Sequence, residues 1–360
     1  MSGSNDLRST IKKLVSRTEL SNTETLEAFE AILSGRVPDS NIAAFLVALA
    51  MKGETAHELA SIIQTLKSHA YKIAPQVSGS LIDTCGTGGD TRKSFNVSTA
   101  AAIVASAAHA NVAKHGNRSM TGFCGSADFF EYIGFDLNIP PRKVQLCIEQ
   151  IGIGFLFAPV FHPSMKNVAT VRKRIGIQTV FNKVGPLCNP CTNIQGQVIG
   201  VSEPPLMQIF SEACRGYLNE AMIVNASDGF DELSNTCENE VYWSSSGTDT
   251  LRKLRLHPDQ VGLKVATPEQ LIVNSKEDSV KLTIQSIYGE ASEERQGIVI
   301  LNAAAALLVA KIASDFREGV ELAKEAIKSG KAQDKLSKMI NYCGDLDKLK
   351  EAERKFLSAS

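Results

Sequence analysis

After Pro75, short apolar runs repeatedly end in Gly-rich turns and are followed by helical patterns. Runs with the length and residue types of buried strands lie at residues 81–83, 112–114, 154–157, 198–201 and 221–224. Strands that alternate with helices form a sheet whose faces the helices cover. The pattern therefore predicts an α/β sheet, and sheets of this kind bind ligands at the carboxyl ends of their strands.

The first seventy or so residues are predicted to be helical because they carry helix-start signals. Ser21 and Glu24 have the spacing of a capping box, as do Thr55 and Glu58, and apolar residues follow each pair on one helix face. Between the two boxes, Asp39 is predicted to cap a third, apolar helix. These signals indicate a helical domain that precedes the sheet.

The expected fold class is α/β, with a small N-terminal helical domain and a large α/β domain whose central sheet is flanked by helices. We assign residues 1–74 to the helical domain and expect residues 168–192, which interrupt the alternation with a basic helix start, to pack back on it. The α/β domain then comprises residues 75–167 and 193–360. Within it, residues 240–290 are rich in Ser, Thr and Lys and are predicted to form a strand-rich surface subdomain.

Charge and hydropathy exclude several classes of partner. The 38 Lys and Arg residues balance 39 Asp and Glu residues, so the chain lacks the basic field of a general nucleic-acid binder. The most apolar stretch, residues 298–313, is shorter than the roughly 20 residues of a membrane span and is predicted to be a buried helix. No secretory signal is recognised at the start, so a cytoplasmic protein with reduced cysteines is expected, and the Cys188 to Cys191 pair lacks the second pair of a zinc site.

Three polar segments at predicted strand ends carry the chemistry. The first, residues 83–90, reads Asp-Thr-Cys-Gly-Thr-Gly-Gly-Asp and is followed by a helix that Asn96 or Ser98 can cap. Its glycines let the backbone approach a ligand, and the helix amides favour an anion, so the segment predicts a phosphate pocket. A purely geometric strand-to-helix turn is the alternative.

The second segment, residues 114–119, reads Lys-His-Gly-Asn-Arg-Ser and suits phosphate oxygens and a planar polar substrate; a solvated basic loop is its alternative. The third contains Asp228, Asp231 and Glu232 after the strand at residues 221–224. Adjacent carboxylates are oxygen ligands for Mg²⁺, which commonly shares them with substrate phosphates. A turn that exposes charge to water is the alternative here.

In their order along the chain, these motifs resemble those of the anthranilate phosphoribosyltransferase family. The matching segments are residues 86–90, 94–99, 114–119, 125–128, 162–166, 171–173, 182, 185–187, 189–190 and 231–232. The resemblance runs from about the first capping box to the final helices. It implies the joining of anthranilate to 5-phosphoribosyl 1-diphosphate (PRPP) with release of diphosphate, in tryptophan biosynthesis, with Mg²⁺ as cofactor and a homodimer formed through the helical domain.

The resemblance also assigns site residues. For PRPP it implies Gly86, Gly89, Asp90, Ser94, Asn96, Val97, Ser98, Thr99, Lys114, Gly122 and Ser126. For anthranilate it implies Gly86, His115, Asn117 and Arg172, and for Mg²⁺ it implies Ser98, Asp231 and Glu232. No catalytic base is nominated, because an aromatic amine is already neutral near pH 7. His115 and His162 are therefore expected to shape the site and form hydrogen bonds.

Two other functions remain open from the residues themselves. A pyrimidine nucleoside phosphorylase of the same fold group would use phosphate and a nucleoside, whereas Asn117, Arg118 and Arg172 suit a carboxylated aromatic. A non-catalytic, nucleic-acid-binding relative would not need the acidic pair. The chain departs from the common pattern of the family at Thr91-Arg92-Lys93, after the Gly-rich turn, and at Asn225-Ala226, ahead of the acidic pair.

Overall fold

The computed structural model describes residues 7–88, 93–119, 122–215, 217–247 and 250–358, which form seven β-strands and seventeen α-helices. The strands are β1 (Leu81–Gly86), β2 (Asn111–Gly116), β3 (Ile153–Phe157), β4 (Gly196–Gly200), β5 (Glu220–Ala226), β6 (Asn239–Ser245) and β7 (Arg252–Leu256). The helices are α1 (Arg8–Val15), α2 (Asn22–Leu33), α3 (Asp39–Lys52), α4 (Ala56–Ser68), α5 (Val97–Ala107), α6 (Ser126–Tyr132), α7 (Pro141–Ile151), α8 (Ala158–Phe161), α9 (Lys166–Ile175), α10 (Val180–Lys183), α11 (Pro205–Cys214), α12 (Pro268–Leu271), α13 (Lys276–Tyr288), α14 (Glu293–Val309), α15 (Phe316–Lys328), α16 (Lys331–Cys343) and α17 (Leu346–Phe356).

Helices α1 to α4 form the N-terminal bundle. At the start of α2 the Ser21 side chain accepts a hydrogen bond from the Glu24 amide, and at the start of α4 Thr55 does the same for Glu58, so both predicted capping boxes are confirmed. The prediction that Asp39 caps α3 was wrong. Pro38 occupies the cap position in an extended conformation, and Asp39 lies in the first turn of the helix. The negative charge of Asp39 interacts favourably with the helix dipole, but its side chain does not cap the helix.

The segment after β3 returns to this bundle. Helix α9 packs against α2 and α3, and α10 packs against α3. The Asn167 side chain donates a 2.7 Å hydrogen bond to the Leu33 carbonyl, and Lys183 Nζ lies 3.0 Å from Glu54 Oε2. These contacts join the segment to the helical bundle, while the domain boundaries given above stay a prediction.

The sheet has the strand order β3-β2-β1-β4-β5-β6-β7. Strands β1 to β5 are parallel, and β6 and β7 are antiparallel to their neighbours. From β1 the chain proceeds to β2 and β3 on one side and then crosses to β4 on the other side. The sheet therefore reverses its direction of growth between β1 and β4, and the crevice at such a switch point is where α/β sheets bind ligands.

Helices α5 and α14 pack against each other and against β1 at the centre of the domain. All residues of α14 from Gly297 onward are buried, which confirms the predicted buried helix, although the helix ends at Val309. None of the helices that the structure describes is both long and apolar enough to cross a membrane.

The prediction of a surface subdomain at residues 240–290 was wrong. Strand β6 pairs with β5 along its whole length, from Glu220 opposite Ser245 to Ala226 opposite Asn239, and β7 pairs with β6. Helix α13 packs against α5 rather than forming part of a separate unit. The segment thus extends the main sheet, because the outer edge of β5 supplies the pairing partner that local composition does not reveal.

Candidate active site

A small pocket lies at the switch point. It is lined by the carboxyl ends of β1 and β4 and by the turn after β5. The lining residues are Thr84, Cys85, Gly86, Ser98, Val198, Gly200, Val224, Asp231, Glu232 and Asn302. The structure therefore brings the first and third predicted segments together, although 143 positions separate Gly88 from Asp231 in the sequence.

Two glycines make room for the acidic pair. Gly86 and Gly200 lie opposite each other in the register of β1 and β4. A Cβ atom on Gly86 would lie 2.1 Å from Asp231 Oδ2, and a Cβ atom on Gly200 would lie 1.6 Å from the Asp231 carbonyl oxygen. Any larger residue at either position would displace Asp231, so these glycines are required by close approach.

Hydrogen bonds fix both carboxylates. The Gly88 amide donates to Asp231 Oδ2 at 2.7 Å, and Ser94 Oγ donates to Glu232 Oε1 at 2.7 Å. Asn302 on α14 accepts from the Leu233 amide at 3.1 Å and donates to the Leu233 carbonyl at 2.7 Å. This side chain, a buried amide within an apolar helix, supports the backbone of the acidic turn, a role that sequence reasoning missed.

The donor set of this pocket fits a magnesium ion. Ser98, Asp231 and Glu232 line it together and offer only oxygen atoms, the ligands that a hard cation prefers. Among the described residues there is no cluster of three or more His, Cys, Asp or Glu side chains that would hold a metal alone. Such a partial site suits an ion that completes its coordination with substrate phosphates and water.

Lys114 is 2% exposed, which is unusual for a lysine. Its ammonium group donates to the Thr84 carbonyl at 2.7 Å and to Ser98 Oγ at 3.3 Å, so it lies beside the pocket. Burial lowers the pKa of Lys114, and the negative charge of Asp83 opposes that shift. Lys114 is therefore a buried cation that faces the predicted phosphate site, rather than part of a solvated loop.

Asp83 is completely buried and was not predicted to have a role. One carboxylate oxygen accepts from the Thr84 amide at 2.7 Å and from the His115 amide at 3.2 Å, and the other accepts from the Asn189 side chain at 2.9 Å. Burial raises the pKa of Asp83, while the charge of Lys114 and these donors oppose the rise. The signal in the sequence was a carboxylate inside an apolar strand, because such a group must be paired or hydrogen-bonded.

His115 and His162 form a buried pair whose ring centroids are 5.1 Å apart. Burial, together with the proximity of His162, holds the pKa of His115 well below its usual range, and burial lowers the pKa of His162 to about 4. Both imidazoles are therefore neutral near pH 7. Low pKa values make both imidazoles weak bases, and the expectation that neither residue carries a proton in the reaction stays a prediction.

The second segment is held against α6. The Asn117 carbonyl accepts hydrogen bonds from the Ala127 amide at 3.2 Å and from Ser126 Oγ at 3.3 Å. Arg118, which we grouped with the carboxylate-binding residues, instead binds Glu131 through both terminal nitrogens and Asp128 through one of them, at 2.7 to 3.0 Å. Its donors are thus engaged within the chain, and Arg118 does not support the argument for a carboxylated substrate.

Arg172, unlike Arg118, is not held by carboxylates of the described residues. It lies on α9, half-buried, and has no ion pair among the residues that the structure describes. Burial lowers the pKa of Arg172 relative to its ordinary value, but a guanidinium remains charged at neutral pH. Arg172 is therefore a partly desolvated cation whose charge no carboxylate of the described residues balances, and its role in binding anthranilate stays a prediction.

The remaining predicted residues occupy different environments. Gly89 and Asp90 lie outside the described residues. Asn96 takes the cap position of α5, but its side chain donates to Ser279 Oγ at 3.1 Å and does not cap the helix. The side chains of Val97 and Thr99 are buried, and neither residue lines the pocket. Gly122 is exposed, and its amide donates to Ser119 Oγ at 2.7 Å.

Comparison with known proteins gives consistent matches along the chain. Residues 8–70 match the helical bundle domain of a glycosyl transferase family, and residues 78–333 match its a/b domain. The anthranilate phosphoribosyltransferase of Acetivibrio thermocellus is 41% identical over 337 residues, which cover 93% of this chain and 96% of that protein. The enzyme of that name from Nitrosopumilus maritimus is 40% identical over 342 residues, which cover 95% and 97% of the two chains.

Solved structures agree. Anthranilate phosphoribosyltransferase from Thermus thermophilus superposes with a TM-score of 0.85 at 37% identity, covering 92% of this chain and 98% of that one. The Saccharomyces cerevisiae enzyme in complex with PRPP and Mg has a TM-score of 0.84 at 26% identity, covering 94% and 97%. The helical bundle and the a/b domain define a glycosyl transferase. Within that class, the chain belongs to the anthranilate phosphoribosyltransferase family, as its motifs predicted.

Proposed function

We propose that this chain carries out the reaction of its family with the residues gathered at the switch point of its sheet. The reaction transfers the phosphoribosyl group of PRPP to anthranilate and gives N-(5-phosphoribosyl)anthranilate and diphosphate in tryptophan biosynthesis. The observation that carries the proposal is the meeting of the Gly-rich turn after β1 with Asp231 and Glu232 after β5. A phosphate cradle beside a carboxylate pair suits a metal-bound diphosphate.

The PRPP site would use the end of β1, the start of α5 and the buried ammonium of Lys114. Backbone amides at the start of a helix and a buried cation both stabilise phosphate oxygens. Ser98, Asp231 and Glu232 would hold Mg²⁺, which neutralises the charge of the departing diphosphate when bound. The Saccharomyces cerevisiae relative in complex with PRPP and Mg supports this assignment.

Anthranilate would bind on the other side of Gly86. Arg172 would hold its carboxylate with the donors that no group of the described chain occupies, and Asn117 and the neutral His115 would line its path. The structure of the yeast relative in complex with 4-fluoroanthranilate supports a substrate of this class. Anthranilate has a planar ring and a single negative charge. One arginine would bind that charge, and the neutral polar side chains of Asn117 and His115 would contact the ring.

The proposed reaction does not require a strong general base. The amine nitrogen of anthranilate attacks the anomeric carbon of PRPP, and the bond between that carbon and the diphosphate oxygen breaks, so positive charge develops on the ribose ring. Once the new bond has formed, the nitrogen releases one proton to water or to the departing diphosphate. The amine is neutral before attack, and no histidine of the site is available as a strong base because both pKa values lie low. Positioning of the two substrates by Lys114, Arg172 and the backbone of the Gly-rich turn therefore supplies most of the protein's contribution.

We also propose a cytoplasmic homodimer that forms through the helical domain. The C-terminal residue of α1, Val15, and the residue Met51 of α3 are 71% and 76% exposed, although both are large and apolar. Helices α1 and α3 are in contact, and each carries one of these exposed apolar side chains. Light scattering of the wild-type chain and of a Val15→Glu, Met51→Glu variant tests this assembly.

Identification of the product by mass spectrometry tests the function against its rivals. The proposal predicts the mass of anthranilate in which the phosphoribosyl group replaces one hydrogen of the amine. Phosphorolysis of thymidine or uridine, with no such product, would transfer the chain to the pyrimidine nucleoside phosphorylases. Salt-dependent retardation of single-stranded DNA in a gel would favour the nucleic-acid-binding relative.

A further inference from the structure

The guanidinium group of Arg172 lies over an aromatic ring. Its Cζ atom is 5.3 Å from the centroid of Phe181, within the range of a cation–π interaction. The face of an aromatic ring is electron-rich, so it stabilises a cation that has lost part of its hydration. Arg172 is half-buried and has no carboxylate partner among the described residues, so this ring is the group that compensates its charge there.

A second arginine, Arg118, also contacts an aromatic ring and can be compared with Arg172. Arg118 Cζ also lies over a phenylalanine ring, that of Phe157, at 5.9 Å. However, the donors of Arg118 are bound by Asp128 and Glu131. An arginine that contacts a ring with its face keeps its in-plane N–H groups for other partners. Only Arg172 of the two combines a supporting ring with donors left for a ligand.

Phe181 is itself held firmly. It is 6% exposed on α10, and its ring centroid is 5.7 Å from that of Phe29, whose ring lies 5.8 Å from that of Phe45. Phe29 and Phe45 are completely buried in the core of the helical bundle. At the start of the short helix α10, the Thr179 amide donates to Asn182 Oδ1 at 3.1 Å. The position of the ring is therefore set by the bundle core.

We propose that Phe181 is a positioning residue that orients the Arg172 guanidinium toward the carboxylate of anthranilate. This inference rests on the proposed function, in which Arg172 binds that carboxylate. The ring restricts the long arginine side chain before the substrate arrives, so less conformational entropy is lost on binding. Phe181 does not touch the substrate in this account and acts only through Arg172.

The test compares two substitutions that remove the same atoms from the same aromatic cluster. Phe181→Leu removes the ring under Arg172, whereas Phe45→Leu removes a ring that packs against Phe29. Phe181→Leu should raise the KM for anthranilate about three- to tenfold, the range expected for loss of a partly desolvated cation–π contact. It should leave the KM for PRPP within about twofold, and Phe45→Leu should leave both KM values within about twofold.

A double-mutant cycle separates positioning from general loosening. In the Arg172→Ala background, Phe181→Leu should have no further effect on the KM for anthranilate, because the group it orients is gone. If Phe181→Leu does not fold, a trifluorinated phenylalanine at position 181 keeps the shape and weakens the electron-rich face, and should raise the same KM.

The outcomes are distinguishable. Equal effects of Phe181→Leu and Phe45→Leu, additivity in the cycle, or no effect of the fluorinated ring would overturn the role of Phe181. If Arg172→Ala itself leaves the KM for anthranilate unchanged, the assignment of Arg172 in the proposed function fails first.

Discussion

The amide nitrogen of Gly88 lies 2.7 Å from Asp231 Oδ2, across 143 positions of the sequence. The turn that we assign to PRPP thus donates to a carboxylate that we assign to Mg²⁺. If a phosphate oxygen accepts a hydrogen bond from the Gly88 amide, it replaces Asp231 Oδ2 as the acceptor. That carboxylate oxygen is then available to bind a metal ion. Binding of PRPP and of the metal is therefore expected to be coupled through this one hydrogen bond.

Gly88→Val should abolish calorimetrically detectable binding of PRPP while the fold persists. Gly88 has φ +62°, a left-handed conformation that a β-branched residue disfavours, and the turn would have to rearrange. Gly262→Val is the matched control, since Gly262 has φ +71°, open space around its Cβ direction, and a position after β7 away from the pocket. Unchanged affinity for PRPP in Gly88→Val would show that the Gly-rich segment is only a geometric turn and does not bind phosphate.

Asp231→Asn combined with Glu232→Gln should lower kcat by about a hundredfold or more at low Mg²⁺, because the charged ligands of the metal are lost. Binding of anthranilate, measured by its fluorescence, should change little. The control is Glu238→Gln with Glu240→Gln, which removes the same charge from exposed partners of Arg255. Wild-type turnover of the first variant would show that the acidic pair does not hold a metal ion that the reaction needs.

Lys114→Met should raise the KM for PRPP about tenfold or more, since a charge-assisted hydrogen bond is worth roughly 1.5–3 kcal/mol. Methionine has a similar length and suits the buried site, so the KM for anthranilate should stay nearly constant. Steady-state kinetics beside Arg172→Ala, for which we expect the reverse pattern, is the measurement. Equal effects of both substitutions on both substrates would mean that the two subsites are not separable.

Glu58→Gln should destabilise the chain at pH 7 by about 3–5 kcal/mol, the cost of leaving one partner of a buried ion pair alone. Glu58 is buried, and its Oε2 lies 2.8 Å from Lys52 Nζ. Burial raises the pKa of Glu58, but the hydrogen bonds from Lys52, Leu20 and Thr55 outweigh this effect, so the pKa lies below its ordinary value.

Because the folded-state pKa is lowered, this contribution is fully present above about pH 4.3, the ordinary glutamate value, and is lost as the pH falls through the folded-state pKa. Urea unfolding at pH 7 and below pH 4 should therefore show a stability difference between wild type and Glu58→Gln that shrinks in acid. Glu24→Gln is the control: Glu24 occupies the same position in the other capping box, but its ion pair with Lys13 is solvent-exposed and should be worth less than about 1 kcal/mol. A pH-independent difference for Glu58→Gln would contradict the assignment.

Local patterns were sufficient for the parts of the fold that local physics decides. Both capping boxes, the buried helix α14 and the five parallel strands follow from side-chain periodicity and turn residues. Strands were expected within residues 240–290, but their place in the main sheet was not, because β6 pairs with the edge of β5 and β7 pairs with β6. Pairing between distant segments leaves little signal in the sequence of either segment.

In the site, too, the sequence predicted some residues but not the contacts between distant segments. The motifs located Lys114, Asp231 and Glu232, but a linear sequence does not show that Lys114 is buried or that Arg118 is bound by Asp128 and Glu131. The supporting residues Asp83, Asn302 and Phe181 act through side chains whose partners come from other elements. Their residue types alone, a carboxylate and an amide in apolar surroundings and a core aromatic, do not say which partner they support.

Consumption of anthranilate, followed as loss of its fluorescence, tests the central claim most directly. The purified chain is mixed with anthranilate and PRPP, with Mg²⁺ in one sample and with a chelator in the other. The account predicts that fluorescence falls with multiple turnovers in the presence of Mg²⁺ and that the rate drops by about a hundredfold or more with the chelator. Stable fluorescence in both samples, from a folded chain that binds both substrates, would contradict it.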